Sequence, residues 1–320
     1  MKRDVRAARK RARVGGGQSR QDQIIIPDDQ LTPDALAARY GLAPVGRRPA
    51  LLPYIREIVR WLPFTVMLGT SRAASKNRNS YLGQIWSFLN PILNSLVYVL
   101  VFGLLLDVSR GVDNVIGFIV VGTFMYRSFN DVVQNGGRSI RRNQNLVKSL
   151  PFPRAVMPIA AAVSEAVMLL PELLVMLIII KVSSAIPNMT PVIWDWTLIL
   201  LIPAVILLYI FSLGVAFMVA RVISFIPDLG NLLPFCLRLL MYTSGAIFPV
   251  SRYFSNETIQ NILSYQPVAV MLDLVRQVTL SESTIPFTWS HWLWATGWAV
   301  SFFTIGLVIF WRAEARYGRE

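Results

Sequence analysis

Arg238 lies inside the apolar run LLPFCLRLLMYTSG, where a charge is expensive. An unpaired charge in hydrocarbon costs at least about 2.5 kcal/mol on insertion scales, so this guanidinium must be paired or wet. Tyr242 follows one helical turn later, on the same side. Glu165 and Glu172, seven residues apart on one face of another apolar run, are candidate partners. The other possibility is that Arg238 faces a polar channel. A second stretch, NSYLGQIWSFLNPILNSLVYVLVFGLLLDVSR, has the same mixed character. In it Phe88, Asn94, Tyr98 and Phe102 fall on a broadly shared helical side. Aromatic faces and amides along one side can line a route for polar cargo. They can also simply pack and hydrogen-bond between helices.

Other chemistries find little support. The single Cys236 excludes an intramolecular disulfide, and the lone His291 cannot assemble a histidine metal site. Asp107, Asp113, Asp195 and Asp273 are scattered and form no convincing pair for metal or nucleotide-sugar work. No Gly-rich loop ends in Gly-Lys-Ser/Thr, so the chain does not hold ATP phosphates by the usual cradle.

A second constellation is basic. Between Gln134 and Ala155 stand Arg138, Arg141, Arg142, Lys148 and Arg154, with no acid among them, around the amide run Asn143, Gln144 and Asn145. The chain carries a net charge of +13, which on its own would suggest nucleic acid. Its distribution argues otherwise. The charge gathers in the first twenty residues and beside apolar runs, where it orients spans and meets anionic lipid.

These groups need elements to hold them. The 320 residues are 54% hydrophobic and 15% charged, with a mean hydropathy of +0.50. Soluble domains are about one-quarter charged. The expected fold is an all-α integral membrane protein with six transmembrane helices: 85–106, 115–133, 156–180, 198–222, 229–250 and 292–311. Loop charge then places both termini in the cytoplasm of a multi-pass cell-membrane protein. Within the second span, Arg127 and Asp131 lie one turn apart and can pair. LPYIREIVRWLPF reads as an amphipathic helix in the interface, with Tyr54, Ile58, Trp61 and Leu62 to one side, halted near Pro63. PVAVMLDLVRQVTL, in the outer loop, is too short to cross. It is expected to enter the outer leaflet and turn back, with Asp273 and Arg276 exposed. Residues 1–50 read as a basic cytoplasmic tail with one short helix, capped at Thr32, started by Pro33 and left at Gly41. Residues 51–84 are the interface helix and approach, 85–316 the six-span membrane domain, and 317–320 the C-terminus.

The order of these pieces resembles the permease subunit of ABC-2 type exporters, in the branch exporting polysaccharides, teichoic acids and O-antigens. The resemblance rests on NRNSYLGQIWSFLNPILNSLVYVLVFG, then NQNLVKSLPFPRAVMPIA, then ARVISFIPDLGNLLPFCLRLLMYTSGAIFPV and LSYQPVAVMLDLVRQVTL, over roughly residues 52–316. Departures are Arg221 and Asp228 standing seven apart where relatives have Arg-Asp, Gln266–Pro267 for Asn-Pro, and Arg127 itself.

The resemblance implies two permease copies and two cytosolic ATP-binding subunits, which bind ATP and Mg; this chain itself needs no cofactor and has no catalytic site. It implies a lipid-linked polysaccharide as cargo and makes the segment from Gly136 to Leu150 the coupling element. There Arg138, Arg141, Arg142, Asn143, Asn145 and Lys148 would meet the ATPase. It casts Phe88, Asn94, Tyr98, Phe102, Arg238 and Tyr242 as the translocation path, with Arg238 meeting substrate phosphate. The basic, Gly-Pro-rich extension looks like the actinobacterial branch, whose cargo is a cell-wall galactan. Competing classes are an ABC-2 permease for teichoic acid, drugs or lipids, a membrane glycosyltransferase, and an assembly scaffold.

Overall fold

The computed structural model describes residues 39–40, 50–76, 81–83, 85–98, 100–101, 112–187, 189–249, 257–280, 285–314 and 317. The chain divides into Met1–Arg47 and Arg48–Glu320. The tail helix expected at Thr32, Pro33 and Gly41 lies outside the described residues. So does Phe102.

All described elements of the second unit are helical. In chain order they are α1 (Leu51–Arg60), α2 (Leu62–Ser75), α3 (Ile85–Tyr98), α4 (Val115–Gly137), α5 (Ser139–Arg142) and α6 (Gln144–Ser149). Then come α7 (Val156–Ser183), a 3-10 turn (Trp196–Leu200), α8 (Leu201–Phe225) and α9 (Leu229–Thr243). Last are α10 (Glu257–Ser264), α11 (Pro267–Thr279) and α12 (Trp289–Arg312).

The expected six crossings are not found. Among the described residues three helical stretches are long and apolar enough to cross: Val156–Ser183, Trp196–Phe225 and Trp289–Arg312. These match the third, fourth and sixth expected spans. The other three do not meet that length and hydropathy among the described residues. Helix α9 has 15 residues, which at 1.5 Å per residue reach only about 22 Å of a roughly 30 Å core, and α3 is described from Ile85 to Tyr98, part of the span expected to run to Leu106. Helix α4 is 23 residues long, but its second half carries Arg127, Asn130, Asp131, Gln134 and Asn135. An apolar run in the sequence, then, was not the same as an apolar helix of spanning length.

Helix α1 ends at Arg60, just before Pro63 as expected, and a second helix starts at Leu62 with Pro63 in its first turn. Tyr54 is buried, while Leu52, Ile55 and Val59 are exposed beside the charged residues. Helix α11 is not an exposed outer segment: it packs against α4, α8 and α12. Arg276 is only 1% exposed.

The core is built by α4, α7, α8, α11 and α12. Helices α8 and α12 approach on glycines. A Cβ at Gly306 would strike the Gly214 carbonyl, so the backbones meet where neither carries a side chain. Gly122 of α4 likewise faces the Ala246 carbonyl and the Arg276 guanidinium with no room for a methyl. Gly122→Ala is expected to cost about 1–3 kcal/mol, the usual range for overpacking. A lowered melting temperature in detergent would register it; an unchanged one would mean that the α9–α10 connection yields.

Candidate functional site

A cleft of about 310 Å³ opens between α3, α4 and α9. Helix α3 contributes Pro91, Asn94 and Ser95, and α9 contributes Pro234, Arg238 and Met241. The third wall is a stripe along α4: Thr123, Arg127, Asn130, Asp131 and Gln134. Their spacing places them on one face of a helix. Arg127 Nε lies 3.7 Å from Asp131, the pairing expected from their spacing. Gln134 donates to Asn130 at 3.0 Å, and Asn130 to Asp131 at 3.1 Å.

The walls are fixed by backbone accounting. Pro234 has no N–H, so the carbonyl four residues back, at Gly230, loses its helical donor. The Arg138 guanidinium donates to that carbonyl at 2.7 Å. Arg138 thereby ties the end of α4 to the start of α9. Higher up, the Tyr126 hydroxyl donates to the Leu237 carbonyl.

Of the residues expected on the path, the cleft brings Asn94 and Arg238 together. Phe88 and Tyr242 are 40% and 47% exposed but lie outside its lining. The position of Tyr98 falls within α3. Arg238 takes part in no ion pair among the described residues, and neither suggested acid reaches it. Glu165 instead pairs with Lys76 at 3.2 Å and accepts from Asn135 at 2.9 Å. Glu172 lies in the electrostatic field of Arg127 and Asp131. The α4 stripe was overlooked as lining. Its signal was present in the sequence, because 123, 127, 130, 131 and 134 follow a helical period inside a supposed span.

The basic segment forms two short helices, α5 and α6. Its residues divide by what they touch. Arg138 holds Gly230, and Asn143 accepts from Arg72 at 2.8 Å. Arg142 donates to Asn135 at 3.1 Å, joining the Asn135–Glu165–Lys76 chain. Arg141, Gln144, Asn145 and Lys148 present an exposed polar surface.

This segment is held against both ends of the membrane domain. The Tyr54 hydroxyl of α1 donates to Glu314 at 2.8 Å, and the Arg154 backbone N–H donates to the other carboxylate oxygen at 2.8 Å. The Arg154 guanidinium stands 3.9 Å from the same acid. Burial pushes the Glu314 carboxyl above its ordinary range, against the opposing pull of the Arg154 N–H and the Tyr54 hydroxyl. A raised value means that folding takes up a proton. This contribution to stability is therefore complete below the ordinary value of 4.5 and is lost as pH rises through the raised one. Glu314→Gln is expected to flatten that part of the melting-temperature profile against pH. A profile of wild-type shape would show that Glu314 does not titrate there.

Comparison with known proteins identifies the architecture. The model of the ABC-2 type transporter family matches residues 49–280. The chain belongs to the ABC-2 type transporter family. It is also similar to the O-antigen export system permease protein RfbA of Myxococcus xanthus, at 24% identity over 266 residues, covering 83% of this chain and 95% of that protein. The protein of the same description from Klebsiella pneumoniae is 25% identical over 240 residues, covering 75% and 88%. The cleft and the basic segment both fall within the matched part of this ABC-2 chain. It is a multi-pass membrane permease of that family, with at least three crossing helices.

Proposed function

We propose that this chain is the membrane subunit of an ATP-driven exporter that carries a lipid-linked polysaccharide from the cytoplasmic to the outer side of the cell membrane. The observation that carries the reading is the cleft, in which Arg238 and Asn94 face a stripe of amides and charges on α4. A lipid-facing protein has no use for such a wall, because charge exposed to hydrocarbon is costly. A polar polymer needs one. Phe88, Tyr98, Phe102 and Tyr242 extend the path as aromatic faces that follow sugar rings.

Two copies are proposed to pair over the half-open cleft and so remove its charges from lipid. Each rests on a separate ATP-binding subunit, which holds ATP and Mg. The names of the relatives favour an O-antigen-like cargo. A galactan is the finer reading, drawn from the resemblance of the basic extension to the actinobacterial branch. Depletion of the chain should leave completed lipid-linked polymer on the cytoplasmic face. Accumulation of unextended carrier instead would favour a glycosyltransferase.

Both termini are proposed to be cytoplasmic. Support comes from Glu314, which joins the approach at Tyr54, the basic segment at Arg154 and the end of α12 at one end of the molecule. The positive-inside rule assigns that end to the cytoplasm. In a Cys236-free background, Asn145→Cys should react only with a cytoplasmic reagent. Ile193→Cys, beyond α7 and 78% exposed, should react only from outside. Labelling of both from one side would refute the arrangement.

A further inference from the structure

Glu172 of α7 joins no ion pair among the described residues. It does not look out to lipid. Leu169 and Met176, three residues before it and four after, share its side of the helix and are buried. Leu170 and Leu174 carry the exposed side. An acid turned inward in a membrane helix, with no cation on it, is costly.

Two ties fix what lies level with it. Asn114, just before α4, donates to Ser183 at the end of α7 at 2.9 Å, and Asn135 of α4 donates to Glu165 of α7 at 2.9 Å. Helices α4 and α7 therefore run antiparallel. Climbing two turns from the lower tie brings Glu172 level with Ser128 and Arg127. Ser128 is already bonded to Tyr209 of α8 at 2.8 Å. Lys76 is taken by Glu165, two turns below. Arg127 is left, and it acts on Glu172 more strongly than any other charged group.

Arg127 is itself loosely held. Its Nε stands 3.7 Å from Asp131, outside hydrogen-bond range. Its Nη1 is buried without a partner among the described residues. Asp131 meanwhile accepts from Asn130 at 3.1 Å. More than about nine in ten buried polar groups in native structures are paired. Here a donor without an acceptor and an acid without a cation stand at one level on packed helices.

We propose that Glu172 is a second seat for the Arg127 guanidinium, which passes between Asp131 on the cleft wall and Glu172 on α7. Glu172 is then a positioning residue that sets the charge of the cleft. With Arg127 on Asp131, the lining holds two arginines and one acid. With Arg127 turned to α7, Arg238 and Asp131 remain and their charges cancel. The effect on a passing cargo rests on the exporter reading; the exchange itself does not.

The test uses the full Cys236-free chain in phosphatidylcholine nanodiscs, with Asn94→Cys on the α3 wall as the reporter. Its reaction rates with an anionic sulfonate and a cationic trimethylammonium methanethiosulfonate are compared. Their ratio reads cleft charge and cancels differences in exposure. Glu172→Gln should raise the anion-to-cation ratio about threefold or more, because Arg127 then stays in the cleft. Glu172→Asp, with a shorter reach, should raise it less. Arg127→Gln should lower it.

The deciding comparison is Glu172→Gln on top of Arg127→Gln, where the ratio should hardly move. An equal rise with and without Arg127 would overturn the proposal, since Glu172 would then act through space by its own charge. A ratio of wild-type size in Glu172→Gln and Glu172→Asp variants that melt like wild type would overturn it as well. Neither cargo nor ATP enters the measurement. A wild-type chain that exports no polymer would therefore sink the exporter reading and leave the exchange standing, and an equal rise would do the reverse.

Discussion

Arg276→Leu is expected to destabilise the membrane domain by about 3–5 kcal/mol, the usual consequence of removing one partner from a buried charged network. The guanidinium of Arg276 donates to Asp273 at 3.0 Å and to the carbonyls of Gly245 and Ala246 at 2.9 Å each. Its central carbon sits 3.5 Å from the centroid of the Phe118 ring, a cation–π contact. One side chain on α11 therefore holds α4 and the turn that follows α9. Leucine would fill part of the volume but strand two carbonyls and an acid. Arg276→Lys should fall between, since an ammonium cannot reach all these acceptors in one plane. If the loss comes partly from the abandoned acid, Arg276→Leu with Asp273→Leu should recover some of it. Melting in detergent, compared across the three variants, decides the matter. A melting temperature for Arg276→Leu equal to wild type would show that the network contributes nothing.

That network also shows where sequence reasoning stopped. The length of the apolar runs gave the all-α class and the three long apolar helices, because runs of some 25 apolar residues leave few alternatives in a membrane. It erred at α11 because a charge in a short apolar segment was taken as a mark of exposure. Arg276 is buried because backbone carbonyls satisfy it, and those belong to residues about thirty positions upstream. No local pattern encodes such a pairing. The pairing of Arg238 with Glu165, one of the alternatives the sequence left open, is not made, for a similar reason. Lys76, from the approach to α3, takes that acid first. By contrast, the Arg127–Asp131 pair and the α4 stripe were legible, since both depend only on positions along one helix. Arg138 is an intermediate case. Pro234 announces a carbonyl without a donor, but only the fold reveals that Arg138 supplies the hydrogen bond.

Reversing Arg141 and Lys148 to Glu is expected to abolish stable assembly with the proposed ATP-binding subunit while leaving the permease folded. The two side chains are exposed on α5 and α6 and make no ion pair among the described residues, so their loss strands nothing inside the chain. A docking surface that presents acids to them would then meet like charge, which costs several kcal/mol at an interface. Arg142→Glu is the informative control. Arg142 donates to Asn135, which in turn donates to Glu165. Reversal there would place a second acid near Glu165 and lower stability even in the isolated permease. The two kinds of variant thus separate docking from internal bracing. Loss of the ATP-binding subunit in pull-down, with an unchanged melting temperature, is expected for Arg141→Glu/Lys148→Glu. A lowered melting temperature is expected for Arg142→Glu. Undiminished pull-down and polymer export by the double reversal would remove the docking role from this surface. The basic residues would then serve orientation alone, since cytoplasmic Lys and Arg beside a span retain it without any partner.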